Sequence, residues 1–159
     1  MSLISFVVFC IIIGICGGVF VITDEKVRII SDDSDCNEGR IEIKTSFGWG
    51  MFSDCNRDGF GDSIGNLICN QLGFDGIKGY SVGNDGRNVS VVTKYIAFTS
   101  VKCGDNVVDI CQECQFIHDD ICSDDMEYID QYNNIYVQCN GKSNKYKCMD
   151  YSDYSNMDK

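Results

Sequence analysis

Cysteine constrains this chain more than any other residue type. Eleven are present in 159 residues. Two of them, Cys10 and Cys16, fall inside a nearly continuous apolar run from Leu3 to Ile22, which ends just before Asp24, Glu25 and Lys26. The other nine follow: Cys36, Cys55, Cys69, Cys103, Cys111, Cys114, Cys122, Cys139 and Cys148. The apolar run reads as a secretory signal, with small residues at Gly14, Cys16, Gly17 and Gly18 to accept cleavage. It carries no Lys or Arg ahead of it and is long enough to span a bilayer, so an uncleaved anchor is the alternative for residues 1–22. Behind an export segment, nine cysteines in one domain's length of chain form a disulfide framework in a secreted or cell-surface protein. Nine is odd, so one thiol is left over or pairs between chains.

Zinc is the competing use of cysteine. Cys111-Gln112-Glu113-Cys114 is a CxxC, but a structural zinc site normally takes a second such pair or a pair of histidines. The chain has no second CxxC, and its single histidine is His118. The formal charge of −11 argues against a nucleic-acid partner, because phosphate binding needs clustered Lys and Arg. The acids gather in two groups, Asp32 to Glu38 and Asp119 to Asp130, which read first as solvated surface.

Between the leader and the last cysteines, the pattern is mixed. Val27-Arg28-Ile29-Ile30 is β-prone, and Arg40 to Lys44 alternates with Ile41 and Ile43 on one face. Phe47 to Phe52 is a third strand candidate. Trp49, flanked by glycines, is expected there as a buried core aromatic with another group packed close. Asp62 to Leu72 is the one clear helix. Ile64, Leu67, Ile68 and Leu72 share a face, Asp62 or Ser63 can cap the start, and Gly73 can end it. Asp75 to Arg87 reads as a glycine-rich connection, Val91 to Phe98 as a strand, and Ile135 to Cys139 as a last strand with Cys139 on the face of Ile135 and Val137. Asn88-Val89-Ser90 is an N-glycosylation sequon. Residues 140–159 are polar and read as a disordered tail.

These pieces, taken in order, resemble a scavenger receptor cysteine-rich (SRCR) domain. The matching steps are Val27-Arg28-Ile29, Gly39-Arg40-Ile41-Glu42-Ile43, Trp49-Gly50, Cys55, Asp58-Gly59-Phe60 and Leu67-Ile68-Cys69-Asn70-Gln71-Leu72-Gly73. Val101-Lys102-Cys103, His118-Asp119 before Cys122, and Val137-Gln138-Cys139 complete the series. The resemblance spans residues 26–139. It implies an α+β fold, a small disulfide-rich domain in which a curved antiparallel sheet cradles one helix. It also implies three bridges: Cys55 to Cys122, Cys69 to Cys139, and Cys103 to Cys111, with Cys114 as the other candidate partner of Cys103. Cys36 is present although its usual partner position is Phe74, and the pairing of Cys36, Cys114 and Cys148 is open.

The resemblance further implies function. It points to an extracellular binding module without catalysis, whose partners are proteins or polyanions; the membrane enters only if the leader stays attached. The alternative is a secreted accessory or inhibitory protein acting on an extracellular enzyme. Family members hold a cation on paired acids. Here Asn56 replaces the first acid, Arg57 stands before Asp58, and Thr99 and Ser100 replace the loop acids. Asp58 and Asp105 are the carboxylates that remain, which implies no cofactor beyond weakly held calcium.

Overall fold

The computed structural model describes residues 18–52, 60–82, 96–98, 100–117 and 135–157. Four strands come first: β1 (Phe20–Thr23), β2 (Val27–Ser31), β3 (Glu38–Thr45) and β4 (Gly48–Phe52). Helix α1 (Asp62–Gln71), β5 (Ile77–Val82), β6 (Ile96–Phe98) and β7 (Ser100–Cys103) follow. The short helix α2 (Ile110–Glu113), β8 (Cys114–Ile117), β9 (Ile135–Cys139), β10 (Met149–Asp150) and helix α3 (Tyr151–Met157) complete the order. The class is α+β. An eight-stranded sheet is antiparallel except where β4 meets β6, and β7 with β8 forms a separate antiparallel pair.

Strand β3 is the branch point. Its eight residues outrun any one partner on its free side, so Glu38–Arg40 pair with β9 and Glu42–Thr45 pair with β4. Its other edge pairs with β2, which places Val27 opposite Ile43 and Ile29 opposite Ile41. Because side chains alternate along a strand, these four aliphatics share one face, while Arg28, Arg40 and Glu42 share the other. The aliphatic face meets helix α1. Ile64, Ile68, Cys69 and Leu72 join Ile22, Ile29, Ile41, Phe52 and Val137 in the main core. Each such aliphatic contributes about 1.5–3 kcal/mol when fully buried.

The helix begins without a side-chain cap. Gly61, extended at φ −152°, occupies the capping position, so neither Asp62 nor Ser63 caps the helix as expected; both are already inside it. Its end follows the glycine signal. Gly73 sits at φ +84°, the Phe74 N–H donates to the Cys69 carbonyl at 2.9 Å, and the Gly73 N–H donates to the Asn70 carbonyl at 3.0 Å. That pair of bonds satisfies two carbonyls that the helix would otherwise leave open.

Four expectations are corrected. Residues 140–157 are not a disordered tail: Cys148 is bonded to Cys36, β10 pairs with β1, and α3 folds beyond it. Composition missed this because the segment is held by a disulfide and by backbone bonds rather than by its own apolar area. The folded unit does not start at residue 26. Strand β1 begins at Phe20, and Val21 and Ile22 are fully buried. The boundary at residue 22 therefore cuts through a strand that an apolar leader cannot be told from by composition. Ile77–Val82 is a strand paired with β9 rather than part of a loop. Lastly, Cys103 is bonded to Cys114 and not to Cys111, with Cα atoms 4.2 Å apart. Strands β7 and β8 set Cys103 directly opposite Cys114, whereas Cys111 lies one turn earlier, in α2.

Candidate functional site

Beside the C-terminal end of α1 lies an open groove of about 1120 Å³. Besides α1 itself, five pieces of chain wall it: the β1–β2 turn, the β3–β4 hairpin, the approach to α2, the segment around Lys145 and Tyr146, and α3 through Tyr154.

The first wall is held by Asp24. One oxygen of its carboxylate accepts the N–H groups of Lys26 (2.7 Å) and Val27 (2.6 Å), which fixes the turn. The other accepts the Gln71 side-chain amide at 2.7 Å. The Gln71 carbonyl oxygen in turn accepts the Ile110 N–H at 3.0 Å. A single amide at the end of α1 thus ties the β1–β2 turn to the start of α2. The approach to α2 is braced by Glu113, whose carboxylate accepts the N–H groups of Val108 (2.7 Å) and Asp109 (3.1 Å). These two donors hold its carboxyl below the ordinary range by favouring the charged form.

The C-terminal wall is fastened to the helix end. The Ser143 hydroxyl donates to the Leu72 carbonyl at 2.6 Å and accepts the Tyr146 N–H at 2.9 Å, and the Asn144 N–H donates to the Gly73 carbonyl at 2.9 Å. A Cβ on Gly73 would stand 2.5 Å from the Lys145 Cβ and 2.9 Å from the Lys145 backbone nitrogen, so the close approach of this wall requires glycine.

The hairpin contributes Lys44 and Trp49, which are cross-strand partners. Trp49 is not a core aromatic. Its register puts it on the face of Arg28, whose guanidinium carbon is 4.4 Å from the indole centroid, and the Lys44 ammonium is 5.4 Å from the same ring. Its indole nitrogen is buried with no hydrogen-bond partner among the described residues.

Charge in the groove is unevenly committed. Lys26 faces Asp109 at 3.8 Å, and the Asp24 oxygens are taken by the three donors above. Lys44 and Lys145 are exposed, and no described carboxylate pairs with either. The Lys145 ammonium lies 5.2 Å from the Tyr146 ring. Two exposed amides, Asn70 and Gln112, complete the polar lining.

The residues expected from the sequence fall elsewhere. Cys69 on α1 is bonded to Cys139 at the end of β9. Asp105 is exposed in the turn after β7, away from the groove lining. Cys55, Cys122, Asp58, Asn88 and His118 lie outside the described residues. Among the described residues, no three His, Cys, Asp or Glu side chains converge in a way that would hold a metal ion. Sequence reasoning passed over Lys145 and Tyr146 because they sit in the supposed tail. The usable signal was Cys148, since a cysteine beyond the last strand needs a partner.

No protein-family model matches the chain, and no curated protein matches it at a significant level. No described helix is long and apolar enough to cross a membrane. The three disulfides among the described residues suit an oxidising, extracellular environment.

Proposed function

We propose that this chain is a non-catalytic extracellular ligand-binding module of the SRCR-like kind, with helix α1 held against a curved sheet, and that the groove beside α1 is its contact surface. The observation that carries this reading is the construction of the groove. Its walls come from distant parts of the chain and are fixed by Gln71, by Ser143 and by the bridge at Cys148. Fixed walls reduce the ordering cost of binding. The lining offers ammonium, amide and aromatic groups and no set of nucleophile, base and orienter, which suits recognition better than turnover.

The test is direct. Fluorescently labelled protein is applied to intact cells, alongside Asn70→Trp, which fills the groove from an exposed helical position. Saturable binding that Asn70→Trp abolishes supports the module reading. Binding that Asn70→Trp leaves intact removes the groove from it. Turnover of peptide or glycan substrates by the purified protein replaces it with an enzyme, and loss of activity in a co-incubated protease replaces it with an inhibitor.

A further inference from the structure

The three disulfides among the described residues differ in how they meet solvent. In Cys69–Cys139 both ends are sealed in the core. In Cys36–Cys148 only Cys36 is. Cys148 is partly exposed, and its sulfur lies 4.0 Å from the Asp33 carbonyl, in the exposed turn 32–35. Exchange needs a thiolate to reach a sulfur, so access ranks these bonds. Cys103–Cys114 is partly exposed at both ends, but four residue pairs of β7 and β8 hold its strands together whether or not the bond is made. Little comparable backs Cys148. Strand β10 contributes two residues, and α3 rests on the partly buried Tyr151 and Tyr154. Those two rings lie over Arg28, and Tyr154 reaches the groove that Trp49 also lines. Upstream the chain stays fastened, because Cys139 is bonded to Cys69, and Ser143 and Asn144 are hydrogen-bonded to the end of α1.

We infer that Cys36–Cys148 is a reversible redox latch on the C-terminal segment, opened by a dithiol reductant while the rest of the fold stays closed. One thiolate of the dithiol attacks the accessible Cys148 sulfur. The bond to Cys36 breaks, and Cys36 leaves as a thiolate that takes up a proton. The second thiolate of the dithiol then attacks the reductant's own sulfur in the mixed disulfide. Cys148 leaves and is protonated, and the dithiol departs as a disulfide, having passed two electrons to the bridge. Opening releases residues 148–157. Strand β10 leaves the edge of β1, α3 leaves Arg28, and the groove loses Tyr154. The bonds from Ser143 and Asn144 keep Cys148 near Cys36, so an oxidant re-forms the bridge at high effective concentration. Losing a fixed wall raises the ordering cost of binding, so the open form binds more weakly. That last step rests on the groove being the contact surface; the latch itself does not.

The test treats the whole oxidised protein with graded dithiothreitol under native conditions. Samples are quenched with acid, and the freed cysteines are alkylated in denaturant and mapped by mass spectrometry. Trp49 is the only tryptophan of the chain, so its emission reports on the groove wall. Cys36→Ala/Cys148→Ser is the permanently open reference. Cys36 and Cys148 should become labelled at a dithiothreitol concentration at least about tenfold below the one that frees Cys69 and Cys139. Trp49 emission should change in step with that labelling, towards the value of the open reference, and not with labelling of Cys103 and Cys114. Replacing dithiothreitol by oxidised glutathione should restore both the bond and the emission. Cell binding by the opened protein should weaken at least about fivefold. Release of Cys36 and Cys148 only together with Cys69 and Cys139 makes the bridge purely structural and overturns the inference. Early release with unchanged Trp49 emission, or a bond that does not re-form, also overturns it. Unchanged cell binding by the opened protein, where Asn70→Trp abolishes binding, overturns the control of binding by the latch and keeps the groove. A latch that opens and closes as expected, with cell binding that Asn70→Trp spares, overturns the groove as the contact surface and supports the latch alone.

Discussion

Cys148 is bonded to Cys36 across 112 residues of sequence, and this is the one covalent tie among the described residues between the C-terminal segment and the sheet. Cys36 is fully buried at the turn from β2 to β3, with a left-handed backbone at φ 54°. Cys148 immediately precedes β10, and so it sets where β10 meets β1 and where α3 starts. The same segment carries Lys145 and Tyr146 to the groove. One bridge therefore connects the order of the C-terminus to the shape of the candidate site.

Cys148→Ser is expected to destabilise the fold and open the groove together. The chain-entropy treatment gives about 4–5 kcal/mol for closing a loop of this length, an upper figure for what the bridge contributes. No residue of α3 is fully buried, and its hold on the sheet rests on the partly buried Tyr151 and Tyr154. The expected outcome is a melting temperature several degrees lower and rapid proteolysis within residues 143–157 under native conditions, while the core that includes the Cys69–Cys139 bridge stays resistant. Unchanged proteolysis would show that the hydrogen bonds from the Ser143 hydroxyl and the Asn144 N–H suffice.

Strand β1 fixes how an export leader must be processed. Val21 and Ile22 are buried, and Phe20–Thr23 pair along the whole length of β1 with β2. The Tyr151 N–H also donates to the Val19 carbonyl at 2.8 Å, so α3 is anchored just ahead of the strand. If the leader is cleaved, N-terminal sequencing of the secreted protein should give a start no later than Val19, which the small residues at Gly17 and Gly18 allow. A chain expressed from Lys26 onward should fail to accumulate as folded protein, because it lacks an inner strand of the sheet. Folded, secreted protein beginning at Asp24 would contradict the position of β1.

Acid should loosen the C-terminal helix first. Asp150 precedes α3, and its carboxylate accepts the Ser152 hydroxyl at 2.7 Å and the Ser152 N–H at 2.9 Å, which lowers its pKa. A lowered folded-state value means that this contribution is complete above the ordinary carboxylate pKa and disappears as pH falls through the folded value. Glu113 follows the same sign through its bonds to Val108 and Asp109. Helical signal from α3 should therefore fall below about pH 4, where ordinary Asp carboxyls titrate, and Asp150→Ala should show that loss already at neutral pH. Amide exchange at Ser152 that is the same at pH 7 and pH 3 would count against the cap.

Much of the sheet was legible because its signal is local. The alternation of Ile41 and Ile43, and of Ile135, Val137 and Cys139, put the right residues on the core face. The helix was legible from Ile64, Ile68 and Leu72, and its end from Gly73. What stayed hidden depends on pairings between distant residues. Composition cannot say that Trp49 faces Arg28, since that follows from the register between β3 and β4. Nor can spacing choose between Cys111 and Cys114, because the choice is made by which residue of β8 faces Cys103. The groove was invisible for the same reason: Lys44 and Lys145 are a hundred residues apart in sequence and meet only through the fold.

The outer face of the sheet carries the sharpest energetic prediction. Glu42 is fully buried between two buried guanidinium groups. Its carboxylate accepts the Arg28 Nε at 2.7 Å on one oxygen and the Arg40 Nη2 at 2.7 Å on the other. Arg28 faces it directly across β2 and β3, and Arg40 is two residues before it on the same face. Two buried guanidinium groups thus meet on one carboxylate in a site closed to water. Trp49, Tyr151 and Tyr154 lie 4.4, 5.7 and 5.7 Å from the Arg28 guanidinium carbon and supply ring faces in place of solvent. Removing the carboxylate charge takes from both buried guanidiniums the charged acceptor that each of them meets here. Glu42→Gln should therefore cost roughly 3–5 kcal/mol, the range for breaking one side of a buried ion pair. The comparison is Lys142→Ala, which removes the exposed pair with Asp35 at 3.4 Å and should cost no more than about 1 kcal/mol. Arg40→Met tests the cluster from the other side. It deletes the guanidinium whose Nε has no partner among the described residues and keeps the bond between Arg28 and Glu42, so it should cost less than Glu42→Gln. Chemical denaturation of the three variants with their disulfides intact decides the order, and a Glu42→Gln loss no larger than that of Lys142→Ala would mean that water reaches these charges and that α3 does not seal the face.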